Sequence, residues 1–118
     1  MSLLSELTTM FEDLGIPVET GVFSGKPPEM YAVFTPLSDT FESFADNVPN
    51  NEIQEVRISL FNKGNYIKTK NSIIRTLLTS EITITERRYI GYETDTGFHH
   101  YLVDCSKCYE IQDLETEI

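Results

Sequence analysis

The clearest pattern of apolar and polar positions lies near the end of the chain. From Phe98 to Ile111, Tyr101, Val103, Cys105, Tyr109 and Ile111 alternate with His100, Asp104, Ser106 and Glu110, the two-residue period of a strand with one buried face. Leu102 and Lys107 break the alternation. A partner segment runs from Ile82 to Tyr92. The link between them, Glu93-Thr94-Asp95-Thr96-Gly97, is small and polar and ends in a glycine able to take positive φ. A long hairpin over Ile82–Ile111 is therefore predicted, and on so short a chain it is expected to be the spine of the sheet.

Two helices are predicted from apolar stripes. Leu3, Leu4, Leu7, Met10, Phe11 and Leu14 share one face of a helix running from an N-cap at Ser2 to a left-handed stop at Gly15. Tyr66, Ile67, Ile73, Ile74, Leu77 and Leu78 share a side of a second helix, Tyr66–Thr79, capped by Asn65, with Lys68, Lys70, Asn71 and Arg75 outward. Between them, Ile16–Phe23 could form a short strand, Ser24–Glu29 breaks regular structure, and Met30–Leu37 is a strand too apolar for one solvated face. After a bend, Thr40–Asn47 resumes extended structure and sends Phe41 and Phe44 to opposite faces, so one of them lacks a core position. Val48-Pro49-Asn50-Asn51 reads as a turn, and Val56, Ile58 and Leu60 alternate with Glu55, Arg57 and Ser59 in the cleanest half-buried strand. The order α-β-β-β-α-β-β defines an α+β domain: one mainly antiparallel sheet with two helices packed on one face.

Length and composition add limits. The 118 residues suit a single domain over residues 1–118, with an acidic end at 113–118 that is expected to fray. No apolar run approaches the roughly 20 residues of a membrane span. The N-terminal segment lacks a basic stretch, so no secretory leader is expected and the chain is placed in the cytoplasm. The net charge of −10 argues against nucleic acid as a general partner, since an acidic surface repels phosphates.

That charge is unevenly spread. Residues 57–88 hold seven basic side chains and two acidic ones, a balance of +5, whereas the remainder holds two basic and seventeen acidic, a balance of −15. Either this is a solvated helix face with a few strand charges, or the basic side of one subunit meets the acidic side of another.

Candidate chemistry is sparse. Cys105-Ser106-Lys107-Cys108 has knuckle spacing, but inside a strand positions 105 and 108 face opposite ways, and no helix start is predicted that would lower a thiol pKa. His99 and His100 diverge for the same reason. Gly25-Lys26 lacks the remainder of a phosphate loop, and no nucleophile elbow, zincin or dinucleotide fingerprint occurs. No enzyme, cofactor or metal is expected.

Three segments carry a resemblance: Gly15-Ile16-Pro17-Val18-Glu19-Thr20-Gly21 after the first helix, Tyr31-Ala32-Val33-Phe34-Thr35-Pro36, and Tyr92-Glu93-Thr94-Asp95-Thr96-Gly97-Phe98-His99-His100-Tyr101. With the element order, they make the chain similar to the small tail-terminator or tail-completion proteins of long-tailed bacteriophages and prophages, in which an acidic-Thr-Gly turn followed by aromatic and basic residues often joins the last two strands. The resemblance implies a virion protein, assembled in the host cytoplasm, that forms a homo-oligomeric ring, expected to be a hexamer. The ring would end tail-tube growth, with the major tail tube protein and the head-tail connector as partners. Contact residues expected on this reading are Phe41, Phe44, Arg87, Arg88, His99 and His100. Alternatives are a head-closure or neck (minor capsid) protein, a small protein-binding regulatory module, and an enzyme using the histidines and cysteines.

Overall fold

The computed structural model describes residues 2–20, 28–45 and 48–111. Most of the Ser24–Glu29 break, the end of the segment expected over Ile16–Phe23, and the acidic end at 113–118 lie outside the described residues. The elements are α1 (Leu3–Leu14), β1 (Val18–Thr20), β2 (Met30–Ala45), β3 (Val48–Asn62), α2 (Tyr66–Thr79), β4 (Thr83–Glu93) and β5 (Phe98–Glu110). This is the expected α+β order.

Local chemistry sets the helix ends. Ser2 and Ser5 form a reciprocal capping box at the start of α1, and Gly15 at φ 74° ends it in the left-handed region that a β-carbon disfavours. Asn65 caps α2 by accepting from the Lys68 N–H at 3.2 Å. Buried Asn62 braces this start, its side chain accepting from the Gly64 N–H at 2.7 Å and donating to Thr69 Oγ1 at 3.1 Å.

The strand order is β1-β2-β3-β5-β4. β1 runs parallel to β2 over Ala32–Phe34, and the other neighbours are antiparallel. The central strand is therefore β3, and β4 is an edge. This corrects the expectation that the β4–β5 hairpin forms the spine: β5 lies inside the sheet, but the longest hairpin is β2–β3, paired from Met30 opposite Asn62 to Ala45 opposite Val48.

The turn expected at Val48–Asn51 is also corrected. Those residues belong to β3, with Pro49 opposite Phe44. Pro49 lies past Asn51, the last residue of β3 that β5 pairs, so among the described residues the strand there has one partner only, the setting in which strand proline is tolerated. The bend expected before Thr40 is a register shift between Pro36 and Ser38.

One sheet face carries Ala32, Phe34, Val56, Ile58, Leu60, Tyr101, Val103 and Cys105, and on it Leu3, Leu7 and Phe11 of α1 and Ile73 and Leu77 of α2 complete the core. Phe11 meets Phe34 edge-on at 5.0 Å between ring centres. The stripe on α2 is narrower than its sequence suggests. Leu78, about 100° around the helix from buried Leu77, is 63% exposed, and Ile67 is 50% exposed.

The two exceptions in β5 have physical reasons. Lys107 faces the helices because Glu6 of α1 meets its ammonium at 2.8 Å, and the same carboxylate accepts from the Tyr109 hydroxyl. Leu102 is buried on the opposite face. There the Arg57 guanidinium grips buried Asp104 through two bonds of 2.9 and 3.0 Å.

Replacing Phe11 by Ala removes a fully buried ring at the helix–sheet contact and should cost about 3–5 kcal/mol. Leu78→Ser should stay within about 0.5 kcal/mol. Urea titration of both variants measures the difference, and equal midpoints would contradict this packing.

Candidate functional site

The most distinctive surface is the β4 edge and the end of the β4–β5 hairpin. The Gly97 N–H closes the connecting turn on the Glu93 carbonyl at 2.7 Å, with Gly97 at φ 80°, and Thr96 Oγ1 donates to the Glu93 carboxylate at 3.1 Å. β4 has β5 on one side and no strand on the other among the described residues. Register shifts between Ile84 and Glu86, and between Tyr89 and Gly91, interrupt its pairing, as is common at sheet edges.

Pairing fixes the faces. Arg87 opposite Val103 and Tyr89 opposite Tyr101 lie on the helix side, and Arg88 opposite Leu102 lies on the other. Both arginines are exposed, and Arg88 Nε reaches Glu86 at 3.3 Å. Tyr89, Ile90 and Tyr92 beside them are also exposed. Sequence reasoning missed these three. Their signal was the apolar tail of Arg87-Arg88-Tyr89-Ile90-Gly91-Tyr92, interrupted by a glycine at a register shift.

The two histidines part as strand alternation requires. His99 lies among tyrosines on the helix side: its Nδ1 is 2.9 Å from the Tyr89 hydroxyl, and its ring stacks on Tyr66 at 4.9 Å. His100 lies on the opposite face, stacked on Phe61 at 4.3 Å. Phe61 in turn stacks on Tyr31 at 4.9 Å, and Phe98 meets Tyr31 edge-on. This second aromatic group explains why Met30–Leu37 is apolar on both faces.

His100 Nε2 is buried with no hydrogen-bond partner among the described residues. Burial holds the His100 pKa below its ordinary value. Nearby Glu93 opposes that shift and Arg57 adds to it.

The six expected contact residues are not brought together. Arg87, Arg88, His99 and His100 cluster at the β4–β5 side of the sheet. Phe41 lies at the opposite edge, 53% exposed, in the distal half of β2. Phe44 has a backbone place opposite Pro49, and its side chain lies outside the described residues.

The cysteines face opposite ways. Cys105 is buried with its Sγ 3.6 Å from the Val56 carbonyl, whereas Cys108 is exposed. Burial, with the carboxylates of Asp104 and Glu55 adding, pushes the Cys105 thiol up to about 12, so it stays protonated at neutral pH. No group of three or more histidine, cysteine, aspartate or glutamate side chains among the described residues could hold a metal. An open furrow of about 420 Å³ between the helices is lined by Ser5, Thr9, Met10 and Asp13 together with Glu6, Thr76 and Ser80, without a histidine or cysteine.

These features define an α+β domain with an open sheet edge, an aromatic cluster at each face of one hairpin, and charged side chains along that edge. No protein-family model matches the chain, and no curated protein matches it. No helix is long and apolar enough to cross a membrane among the described residues.

The His100 environment sets a pH dependence. An unfolded chain protonates this imidazole near pH 6.5 and the folded one only at lower pH, so the unfolded state binds more protons in that window. The contribution to stability is whole above about pH 6.5 and shrinks as pH falls below it. Comparing the pH slope of urea midpoints between the natural chain and His100→Gln should show a shallower slope below pH 6.5 in the variant. Identical slopes would contradict the assignment.

Proposed function

We propose that this chain is a non-enzymatic subunit of a phage or prophage tail. Several copies form a ring, most simply a hexamer, that ends tail-tube growth and joins the tail to the head connector. It acts within the virion, at the neck of the tail.

The observation that carries the assembly part is where the exposed large apolar side chains lie. Of seven such residues among those described, Leu37 and Phe41 are on β2 and Tyr89, Ile90 and Tyr92 are on β4. The two groups stand at opposite edges of the sheet, and one is not a copy of the other. A subunit with two different adhesive edges associates heterologously, and heterologous contacts close into rings or extend as fibres. The basic Arg87-Arg88 pair on one edge and the acidic remainder of the chain support the same polarity.

The phage part is supported by the three resembling segments and by the α-β-β-β-α-β-β order. The Glu93–Gly97 link lies between the last two strands, as the resembling motif would have it. The long β2–β3 hairpin, in a molecule 54 Å in its longest dimension, suits a subunit that contacts more than one layer of a tail.

Light scattering across a concentration series at low and high salt should show a ring that weakens as salt rises. Exchanging both Arg87 and Arg88 for Glu should leave circular dichroism unchanged and abolish the ring. Particles assembled without this chain should carry overlong or headless tails. A monomer at every concentration, even with tail tube protein added, rules out the ring, and normal particles rule out the phage role.

A further inference from the structure

We infer that the joint between copies is a strand pairing, β4 of one subunit against the distal half of β2 of the next, centred on Arg87 and Asp39. This rests on the ring reading and adds the partner surface, strand direction and register.

Both edges have a vacant side among the described residues. β4 has no outer neighbour, and β1 occupies β2 only over Ala32–Phe34, leaving the stretch from Ser38 onward without one. Exposed side chains line that stretch, Asp39 and Phe41 among them. Unpaired edges of this kind are templates for another strand.

Direction follows from topology. Because β2, β3, β5 and β4 alternate, the two edges run antiparallel to each other. Copies repeated about an axis along the strands therefore bring β4 against the next β2 in antiparallel fashion, the better-bonded arrangement.

Charge then selects the partner. β4 against its own copy would set Arg87 and Arg88 close to themselves, and β2 against its own copy would do the same with Asp39 and Glu42, both unfavourable across a ladder. β4 against β2 sets Arg87 beside Asp39. The two belong to the same face, since Arg87 pairs Val103 on the helix side and Asp39 pairs Gln54, in step with the buried Val56 and Ile58.

The offset this register demands is one that closed sheets adopt. Arg87 is level with Phe34 through Val103 and Ile58, and Asp39 lies four to five residues further along β2. At roughly 3.3 Å per residue the neighbour slides by about 13–16 Å, over four strand spacings totalling about 19 Å. That corresponds to a strand tilt of about 35–40°, within the range of closed barrels. In this register the neighbour's β4 pairs with β2 from Ser38 onward and must leave the ladder short of β1, because Tyr92 and Glu93 would otherwise fall opposite Phe34 and Val33, which β1 holds.

The test uses single-cysteine exchanges, Asp39→Cys and Arg87→Cys, each in a Cys108→Ser background, with charge reversals beside them. Mixing the two cysteine variants under mild oxidation should give a covalent dimer that neither gives alone. Asp39→Arg or Arg87→Asp alone should raise the concentration needed for assembly about tenfold, and the two together should restore it. Both positions are exposed, so unchanged thermal unfolding confirms that each variant is folded. Cross-linking of Arg87→Cys with itself would overturn the joint in favour of a two-fold dimer. So would an oligomer that neither cross-links in the mixture nor recovers in the double reversal. A natural chain that stays monomeric would instead remove the ring reading from which the joint follows.

Discussion

The pairing of β3 with both β2 and β5 is the constraint on which the remainder of this molecule depends. β3 is the central strand of the five, paired with β2 on one side and β5 on the other, and Val56, Ile58 and Leu60 are the inward residues that α1 and α2 cover. Arg57, on the other face, locks the β3–β5 ladder through its paired bonds to Asp104. Severing that grip would leave a carboxylate buried without its partner, an unfavourable state even though the guanidinium side is about one third exposed. Because β3 is central, the strands on either side inherit their places, and among the described residues the edges fall to β1 with the distal part of β2, and to β4.

The placement of charge follows from that arrangement. Of the seven basic residues in the segment 57–88, Arg57 is committed to Asp104 inside the fold. Lys63 and Lys70 lie over the rings of Phe98 and Tyr101 at about 5 Å, stabilising the two aromatic groups from their rims. Arg87 and Arg88 stand on an edge strand. Lys68 and Arg75 are exposed on α2, so the run that looked uniform along the chain divides into three structural cations, two on a solvated helix face and two at the edge.

How much of this was legible in the sequence depended on whether the determinant was local. Both helices were readable because their caps, Ser2, Gly15 and Asn65, act within one turn. The β4–β5 hairpin was readable because Glu93–Gly97 specifies its own reversal. Strand order was not, since the choice of β3 as the centre is made by pairing between distant segments. The Val48–Asn51 stretch was misread for the same reason: Pro-Asn-Asn has turn chemistry, but a ladder with β2 satisfies its backbone in extended form. Arg87, Arg88 and Phe41 could be chosen as candidates because charge and strand parity are visible residue by residue. The tyrosine group around His99 could not, because Tyr66 comes to it from the start of α2.

The edges also show why a sheet left open need not be prone to indiscriminate association. A flat, apolar edge would pair with any exposed strand, including its own copy. Here β4 carries adjacent arginines and two register shifts, and the distal part of β2 begins just past Pro36 and a register shift and carries two acids, Asp39 and Glu42. Each feature weakens self-pairing, by repulsion or by breaking the run of hydrogen bonds. A partner of opposite charge turns the electrostatic part of that barrier into attraction, while the geometric part still restricts the registers it can adopt. The same residues that disfavour pairing of like edges therefore narrow the choice of neighbour, which is the selectivity that the proposed ring would need.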